Sequence, residues 1–299
     1  MKVYLSEHIA PSAYERLRDR FEIIDNFDHP EELDAIIVRR AHVTREIIQR
    51  AGKLKIISMH GVGLDTIYLE AAAERGISVM NVPSESAESV AELAVAYIMA
   101  LSRKLKAIDR GLGEGRFHHF GETALIGTEL YGKKLGLVGA GHIAGRVAAI
   151  MQAAFDCQIY CYNPHKSAEQ LAAMGYQKAD TLEELFHETD IVSVHVPLTE
   201  STQNLISTSA FRNANPNLLL VNTSRGGIVD EKALCDALIR GQIKGAASDV
   251  FVSEPPDKDD PLLHLDNFIA TLHIGGSTDE ALERVSNKAV DHVIEALCP

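Results

Sequence analysis

The chain has 299 residues, of which 46% are hydrophobic and 24% are charged, and its formal net charge at pH 7 is −13. This length suggests two domains, and the composition is that of an ordinary globular protein. Because a negative surface repels phosphate backbones and anionic lipids, we expect neither a nucleic-acid partner nor a membrane partner.

Short apolar runs alternate along the chain with helical patterns, which predicts parallel sheets built from βαβ units. The runs of the first third should form one sheet, and they lie at 3–5, 36–38, 56–59 and 77–80. The later runs should form a second, larger sheet, and they lie at 135–138, 159–162, 191–194, 218–221, 245–247 and 268–270.

Three segments between these runs have distinct patterns. Apolar residues at helical spacing over 90–101, preceded by Ser86 as a candidate N-cap, predict a long helix that joins the two halves. The segment 110–122 is glycine-rich and weakly periodic, and we interpret it as a connection. Asp230 as N-cap and Gly241 just after the last turn delimit a further helix.

A glycine-containing loop, Gly139-Ala140-Gly141-His142-Ile143-Ala144, directly follows an apolar strand and opens a helical stretch. This is the dinucleotide-binding pattern, with alanine in its permitted last position. Gly139 allows the tight turn, and Gly141 lets the backbone approach a pyrophosphate. His142 and Ile143 then lie at the helix N-terminus, where N–H groups and a partial positive charge favour an anion.

The same pattern predicts an acidic residue about 20 positions further on, where it binds the ribose hydroxyls of NAD. The sequence has Asn163 there, which can bind a hydroxyl group but does not repel a 2′-phosphate. His165 and Lys166 follow and could attract one. We therefore favour NAD as the cofactor and leave NADP open.

We predict an α/β protein with two doubly wound parallel-sheet, Rossmann-like domains. A flavodoxin-like substrate domain would comprise residues 1–98 and 275–299, and an NAD(P)-binding domain would comprise residues 99–274. A helical pattern over 278–297 is long enough to return the chain to the first domain.

Three residues of the last third, Arg225, Glu254 and His273, each follow a predicted strand of the larger sheet. Active sites of open α/β sheets gather at the carboxyl ends of the strands. These residues could therefore converge beside the cofactor, although they are distant in sequence.

The sequence resembles the D-isomer-specific 2-hydroxyacid dehydrogenase family, and in particular its phosphoglycerate dehydrogenase-like branch, over nearly its full length. Besides the cofactor loop, several motifs carry the resemblance in the family's order. They are Gly61-Val62-Gly63-Leu64-Asp65, Val90-Ala91-Glu92, Ser224-Arg225-Gly226-Gly227, Asp249-Val250-Phe251 with Glu254-Pro255, and His273.

The resemblance implies an enzyme that transfers a hydride between NAD(P)H and C2 of a small 2-oxo acid or D-2-hydroxy acid. Arg225 would bind the substrate carboxylate or its C2 oxygen through its planar donor group. His273 would act as general acid and base at that oxygen, and Glu254 would orient its ring and favour the imidazolium form.

The resemblance also implies binding roles. Asp249 would hold the nicotinamide carboxamide, and Val196, Pro197 and Thr223 would line the cofactor groove. The remaining roles concern the substrate. The backbone N–H groups of Val62 and Gly63 would bind its carboxylate, and Arg39 would lie near its distal end.

Two other functions remain open from the sequence. The first is a dehydrogenase-like binding protein that senses NADH, against which the lack of long tails and basic regions argues. The second is a formate-dehydrogenase-like enzyme, but that branch typically pairs its histidine with glutamine, and this chain has Glu254.

Cellular context and assembly are predicted more coarsely. Four cysteines without CxxC spacing, no signal-like N-terminus and no apolar run of about 18 residues favour the cytoplasm. Family analogy suggests a homodimer formed mainly through the cofactor domain. Because the sequence ends just after the last helical pattern, we do not expect the regulatory domain that some phosphoglycerate dehydrogenases carry. We expect no metal site, because His118 and His119 have no suitably spaced third ligand.

Overall fold

The computed structural model describes residues 1–298. They form two compact units, one comprising Met1–Ser89 and the chain from Gly276 onward, and the other comprising Val90–Gly275. The strands are β1 Lys2–Leu5, β2 Glu22–Ile24, β3 Leu33–Val38, β4 Ile56–Met59, β5 Ser78–Met80, β6 Lys134–Val138, β7 Gln158–Tyr162, β8 Gln177–Lys178, β9 Ile191–Val194, β10 Leu219–Asn222, β11 Gly245–Ser248 and β12 Phe268–Ala270.

The helices connect these strands. They are α1 Pro11–Arg18, α2 Arg45–Arg50, α3 Leu69–Glu74, α4 Ala87–Ser102, α5 Leu105–Gly113, α6 His142–Phe155, α7 Ala168–Ala173, α8 Leu182–Glu188, α9 Thr208–Arg212, α10 Glu231–Ile239, α11 Pro261–His264 and α12 Asp279–Leu297. Two short 3₁₀ turns lie at Pro30–Glu32 and Thr123–Leu125.

The first unit contains a five-stranded sheet with the order β2-β1-β3-β4-β5, and all its strands are parallel. This is the flavodoxin-like order, in which helices cover both faces of the sheet. The 19-residue helix α12 covers one face. Thr278 caps it by accepting a hydrogen bond from the Ala281 N–H at 3.1 Å, and Val285, Val290 and Val293 on its buried side pack into a core with strand residues.

The second unit contains a seven-stranded, fully parallel sheet with the order β12-β11-β10-β9-β6-β7-β8. Counted from β6, its first six strands follow the dinucleotide-binding order, and the direction of winding reverses between β6 and β9. Strands β9, β10 and β11 are buried along their whole length, as expected for strands with helices on both faces. The predicted fold class is confirmed.

The predicted helix capped by Asp230 is also confirmed. The Asp230 carboxylate accepts a hydrogen bond from the Ala233 N–H at 3.0 Å, and Gly241 adopts a left-handed conformation with φ of 65° just after the helix. The long helix α4 begins at Ala87, directly after Ser86. Among residues 1–298, no helix has both the length and the apolarity that crossing a bilayer requires.

The interpretation of 110–122 as a connection is wrong at its start, because α5 continues through Gly113. Gly111 lies in this helix, where a methyl group would come within 2.5 Å of the Phe117 ring. The glycine therefore serves close packing rather than a turn, and this packing outweighs its low helix propensity. The short strands β2 and β8 were not predicted, and both lie at sheet edges with mostly exposed or half-buried residues.

Candidate active site

The carboxyl ends of the seven-stranded sheet carry the candidate residues of the second unit. All strands of this sheet are parallel, so the loops that follow them lie along one edge. Each of six strands is followed there by a residue singled out from the sequence, namely Gly139 after β6, Asn163 after β7, Val196 after β9, Arg225 after β10, Glu254 after β11 and His273 after β12.

The turn after β6 requires glycine for two reasons. Gly139 has φ of 98°, a conformation that other residues rarely adopt, and a methyl group there would lie 2.5 Å from the His195 carbonyl oxygen. The His195 N–H in turn donates to the Val138 carbonyl at 2.8 Å. The loop is thus packed against the strand end on the other side of the switch point.

Gly141 has a different environment. It is the N-cap of α6 with φ of −88°, and a methyl group at this position would meet no protein atom within 4 Å. The first N–H groups of a helix have no acceptor within the helix, and Gly141 provides no side chain to cap them. The exposed first turn, with His142 and Ile143, can therefore receive an anion such as a pyrophosphate.

Asn163 is half-buried just after β7, and its side chain holds the following turn. Its Oδ1 accepts a hydrogen bond from the His165 N–H at 2.9 Å. The Nδ2 group adds two donors, whereas an aspartate here would offer a second acceptor and a negative charge. The position therefore lacks the charge that would repel a 2′-phosphate.

The groove residues after β9 and β10 differ in exposure. Val196 is half-buried and Pro197 is exposed, whereas Thr223 is only 8% exposed. Within the described chain, the buried Oγ1 of Thr223 has no hydrogen-bond partner. A buried hydroxyl usually finds a partner, so this atom fits a site that a polar ligand completes.

The loop that carries Arg225 is held by the side chain of Asn222. Its Nδ2 donates to the Arg225 carbonyl and its Oδ1 accepts from the Ser224 N–H, each at 3.0 Å. The half-buried Arg225 guanidinium donates to the Ser224 carbonyl at 2.6 Å. At Gly226, a methyl group would lie 2.0 Å from the backbone carbonyl of Phe251. The loop that carries Arg225 is therefore packed closely against the loop after β11.

His273 and Glu254 form a hydrogen-bonded pair, as the sequence predicts. The Nδ1 atom of His273 lies 2.9 Å from Oε2 of Glu254, and the other carboxylate oxygen accepts from the Phe251 N–H at 3.1 Å. With Nδ1–H donating to the carboxylate, Nε2 is the ring nitrogen that remains available to a ligand. The His273 side chain is 39% exposed, so a small molecule can reach it.

Asp249 holds the backbone around His273, a role that sequence reasoning missed. Its carbonyl oxygen accepts from the His273 N–H at 2.7 Å, Oδ1 accepts from the Ile274 N–H at 2.8 Å, and Oδ2 accepts from the Gly275 N–H at 2.7 Å. Thr271 also donates to Oδ1. The residue is only 2% exposed, and the sequence offers no signal for these contacts beyond the proximity of Thr271 to His273.

The candidate substrate residues Arg39, Val62 and Gly63 belong to the first unit. Arg39 follows β3, its N–H donates to Glu7 at 3.0 Å and its guanidinium donates to Ser277 Oγ at 3.3 Å. Burial and the charge of Arg40 lower the pKa of Arg39. Val62 is exposed and Gly63 is half-buried in the loop after β4.

Two further histidines, the buried His60 and the half-buried His195, have hydroxyl partners. Nε2 of His60 lies 2.9 Å from Ser286 Oγ, and burial lowers its pKa to about 4. Nε2 of His195 lies 2.8 Å from Ser193 Oγ, and burial lowers its pKa to about 3. Both rings are therefore neutral near pH 7.

No cluster of three or more potential metal ligands occurs within residues 1–298. The backbone N–H groups of His118 and His119 both donate to Glu122 Oε1, at 2.7 and 3.1 Å. Both histidines are exposed. This segment therefore forms a local turn around one carboxylate.

Comparison with known proteins agrees with this geometry. Residues 95–275 match the family model of the D-isomer specific 2-hydroxyacid dehydrogenase, NAD binding domain. The chain is 39% identical to hydroxypyruvate reductase of Thermotoga maritima, over 99% of this chain and 98% of that protein. It is 38% identical to D-3-phosphoglycerate dehydrogenase of Mycobacterium tuberculosis, over 99% of this chain but 56% of that relative, and so spans only about half the length of such relatives.

Solved structures extend the likeness to the whole fold. The crystal structure of D-lactate dehydrogenase from Aquifex aeolicus, complexed with NAD and lactic acid, superimposes with a TM-score of 0.86 at 30% identity, covering 98% of this chain and 94% of that chain. The predicted use of a nicotinamide dinucleotide cofactor is confirmed by the match to the NAD-binding domain. The chain therefore belongs to the D-isomer-specific 2-hydroxyacid dehydrogenase family.

Proposed function

We propose that the protein interconverts a small 2-oxo acid and the matching D-2-hydroxy acid with a nicotinamide cofactor. The observation that carries this proposal is the His273–Glu254 pair, with 2.9 Å between Nδ1 and Oε2, on the sheet edge that also carries the glycine loop. A histidine held by a carboxylate is suited to general acid–base work near pH 7. The names of the relatives, hydroxypyruvate reductase and D-lactate dehydrogenase, fit the same chemistry.

Each catalytic residue has a task in the reduction. His273 donates the proton on Nε2 to the carbonyl oxygen of the substrate, and Glu254 stabilises the imidazolium and fixes the ring orientation. Arg225 binds the carboxylate or the C2 oxygen through its guanidinium, whose charge also stabilises the developing alkoxide. In the oxidation, His273 takes the proton back.

The chain's own residues fit a bound dinucleotide. The open space beyond Gly141, the uncapped first turn of α6 and the unpartnered Thr223 hydroxyl match a ligand with a pyrophosphate and ribose hydroxyls. When bound, the nicotinamide supplies the hydride to C2 or accepts it from C2. We assign Val196 and Pro197 to the groove, and the contact of Asp249 with the carboxamide stays a prediction.

We further propose that residues 1–98 and 275–299 act as the substrate domain and residues 99–274 as the cofactor domain. Arg39, Val62 and Gly63 would bind the substrate in this arrangement. The exposure of Val62 to solvent supports this. Alanine at Arg39 should raise KM for substrates with a distal anionic group more than KM for glyoxylate.

The test is loss of NADH or NADPH absorbance with purified protein and a panel of glyoxylate, hydroxypyruvate, phosphohydroxypyruvate and pyruvate, followed by chiral analysis of the product. His273→Asn should lower kcat at least about 100-fold, because it removes the proton donor. His187→Asn is the matched control, since His187 is an exposed histidine at the end of α8 in the same unit.

Other outcomes would contradict the proposal. NADH binding without turnover on the whole panel would indicate a sensor of the cofactor. Formate-dependent reduction of NAD⁺ would indicate the formate-dehydrogenase-like alternative. Full activity of His273→Asn would remove His273 from the mechanism.

We also propose a cytoplasmic homodimer formed through the cofactor domain. Several large apolar side chains between residues 99 and 131 are strongly exposed, and exposed apolar surface favours association. They are Met99, Leu105, Leu112, Phe120, Ile126 and Tyr131. Light scattering should give twice the chain mass of 32.6 kDa, and Phe120→Ser with Ile126→Ser should shift it toward the monomer. A wild-type monomer would contradict the proposed dimer. Cell fractionation tests the proposed cytoplasmic location.

A further inference from the structure

The strongest unassigned feature is a buried chain of polar groups behind His273, and all its members belong to the second unit. The Tyr97 hydroxyl, on α4, is hydrogen-bonded to Thr271 Oγ1, and Thr271 is hydrogen-bonded to Asp249 Oδ1. Tyr97 is only 4% exposed. Burial and the charge of Asp249 raise its pKa well above the usual value, so the hydroxyl keeps its proton.

The donor and acceptor in each of these hydrogen bonds follow from the groups around Asp249. Its two carboxylate oxygens accept from the Ile274 and Gly275 N–H groups, so both act as acceptors. Thr271 must then donate its single proton to Oδ1, and its oxygen is left to accept from the Tyr97 hydroxyl. Tyr97 therefore orients the Thr271 hydroxyl toward Asp249.

These hydrogen bonds end at a segment of backbone with an unfavourable conformation. His273 has φ of 51°, in the left-handed region that residues other than glycine adopt at a cost. Its N–H and those of the next two residues all donate to Asp249. The Asp249 carboxylate therefore fixes the backbone from which the His273 ring reaches Glu254.

We infer that Tyr97, acting through Thr271 and Asp249, is a positioning residue for His273 in proton transfer. The inference rests on the proposed function, because it concerns the placement of the proposed acid–base group. Tyr97 does not touch the reacting atoms; it keeps the ring in the orientation that the reaction requires. A small displacement of such a group lowers kcat, whereas binding of substrate and cofactor is spared.

The test uses variants that change single hydroxyl groups. Tyr97→Phe and Thr271→Val remove one each, and Thr271→Ser retains the hydroxyl. Tyr176→Phe is the matched control, because Tyr176 is another buried tyrosine of the same apolar cluster, at 7% exposure. We expect Tyr97→Phe to lower kcat about fivefold to tenfold with unchanged KM, as for loss of one neutral hydrogen bond.

Two further readouts separate positioning from a general loss of structure. Hydrogen exchange at the Ile274 and Gly275 amides should be faster in Tyr97→Phe and Thr271→Val, and unchanged in Thr271→Ser and Tyr176→Phe. Because Tyr97 acts through Thr271, adding Tyr97→Phe to Thr271→Val should lower kcat no further.

The outcomes decide the inference independently of the proposed function. Unchanged amide exchange in Tyr97→Phe, or unchanged kcat, overturns it, and so do additive effects in the double variant. Failure of the wild-type protein to turn over any 2-oxo acid refutes the proposed function instead. The exchange result would still report whether Tyr97 holds the 273–275 backbone.

Discussion

Replacing Gly141 with alanine should separate cofactor binding from folding. A methyl group there meets no protein atom within 4 Å, and φ is −88°, so the folded chain accommodates it. Alanine is a poorer N-cap than glycine by roughly 0.5–1 kcal/mol, but it restricts the unfolded chain by a similar amount, about 0.4–1 kcal/mol. These contributions oppose each other, so the melting temperature should shift by less than about 4 °C.

The same methyl group should weaken NADH binding strongly. It enters the space through which a pyrophosphate would approach the first turn of α6, and it would lengthen or break one or two charge-assisted hydrogen bonds. Each contributes about 1.5–3 kcal/mol, so loss equivalent to one such bond should raise the Kd for NADH about tenfold to 150-fold. The chain has no tryptophan, so titration followed by NADH fluorescence is free of tryptophan signal.

Gly145→Ala is the control for this prediction. Gly145 lies in the first turns of α6, where a methyl group would meet Tyr176 only at an ordinary distance of 4.0 Å. Alanine in a helix interior should raise stability by about 1 kcal/mol and leave the Kd unchanged. A folded Gly141→Ala protein that binds NADH as tightly as the wild type would refute the assignment of this loop.

Three further predictions follow from single contacts. Gly226→Ala would place a methyl group 2.0 Å from the Phe251 carbonyl, so stability in urea should fall by more than about 4 kcal/mol; a loss below about 1 kcal/mol would contradict the packing. Lowered pKa values of about 4 for His60 and about 3 for His195 mean that both favour the folded state while neutral, above their unfolded value of 6.5. The free energy of unfolding should therefore decrease as pH falls from 6.5 toward 4, by up to about 1.4 kcal/mol per pH unit for each ring, and less steeply in His60→Gln. Asn163→Asp should retain the turn but weaken NADPH binding at least about tenfold relative to NADH, and equal changes for both cofactors would contradict its place beside the ribose.

Much of the fold could be predicted because the central strands of both sheets are buried, as β4, β9, β10 and β11 show. In a parallel sheet covered on both faces, each strand is a short continuous apolar run, and Ile191–Val194 was located with its observed bounds. The edge strands β2 and β8 have no such run, and so they were missed. The end of α5 was missed for the opposite reason, since Gly111 is a poor helix former that is retained by its contact with Phe117.

Part of the candidate site could also be predicted from the sequence, and part could not. Residues such as His273 and Glu254 could be singled out because each lies in the loop after a strand, and parallel strands bring their following loops to one edge. That rule predicts proximity but no hydrogen-bond pattern. The contacts of Asp249 with three successive N–H groups depend on the conformation of the 273–275 backbone, which no local spacing reveals.

Tyr97 shows why such a contribution is hidden in a sequence. It falls on the apolar face of α4, and its ring does pack in the core beside Ile98 and Leu101. By periodicity alone it is one more buried side chain, and its hydroxyl has a partner only because β12 ends at Ala270 and places Thr271 beside it. A buried tyrosine is expected to direct its hydroxyl to a polar partner. A polar residue on an otherwise apolar helix face is therefore a candidate for a positioning role in this fold. Such residues do not touch the substrate but hold the residues that do.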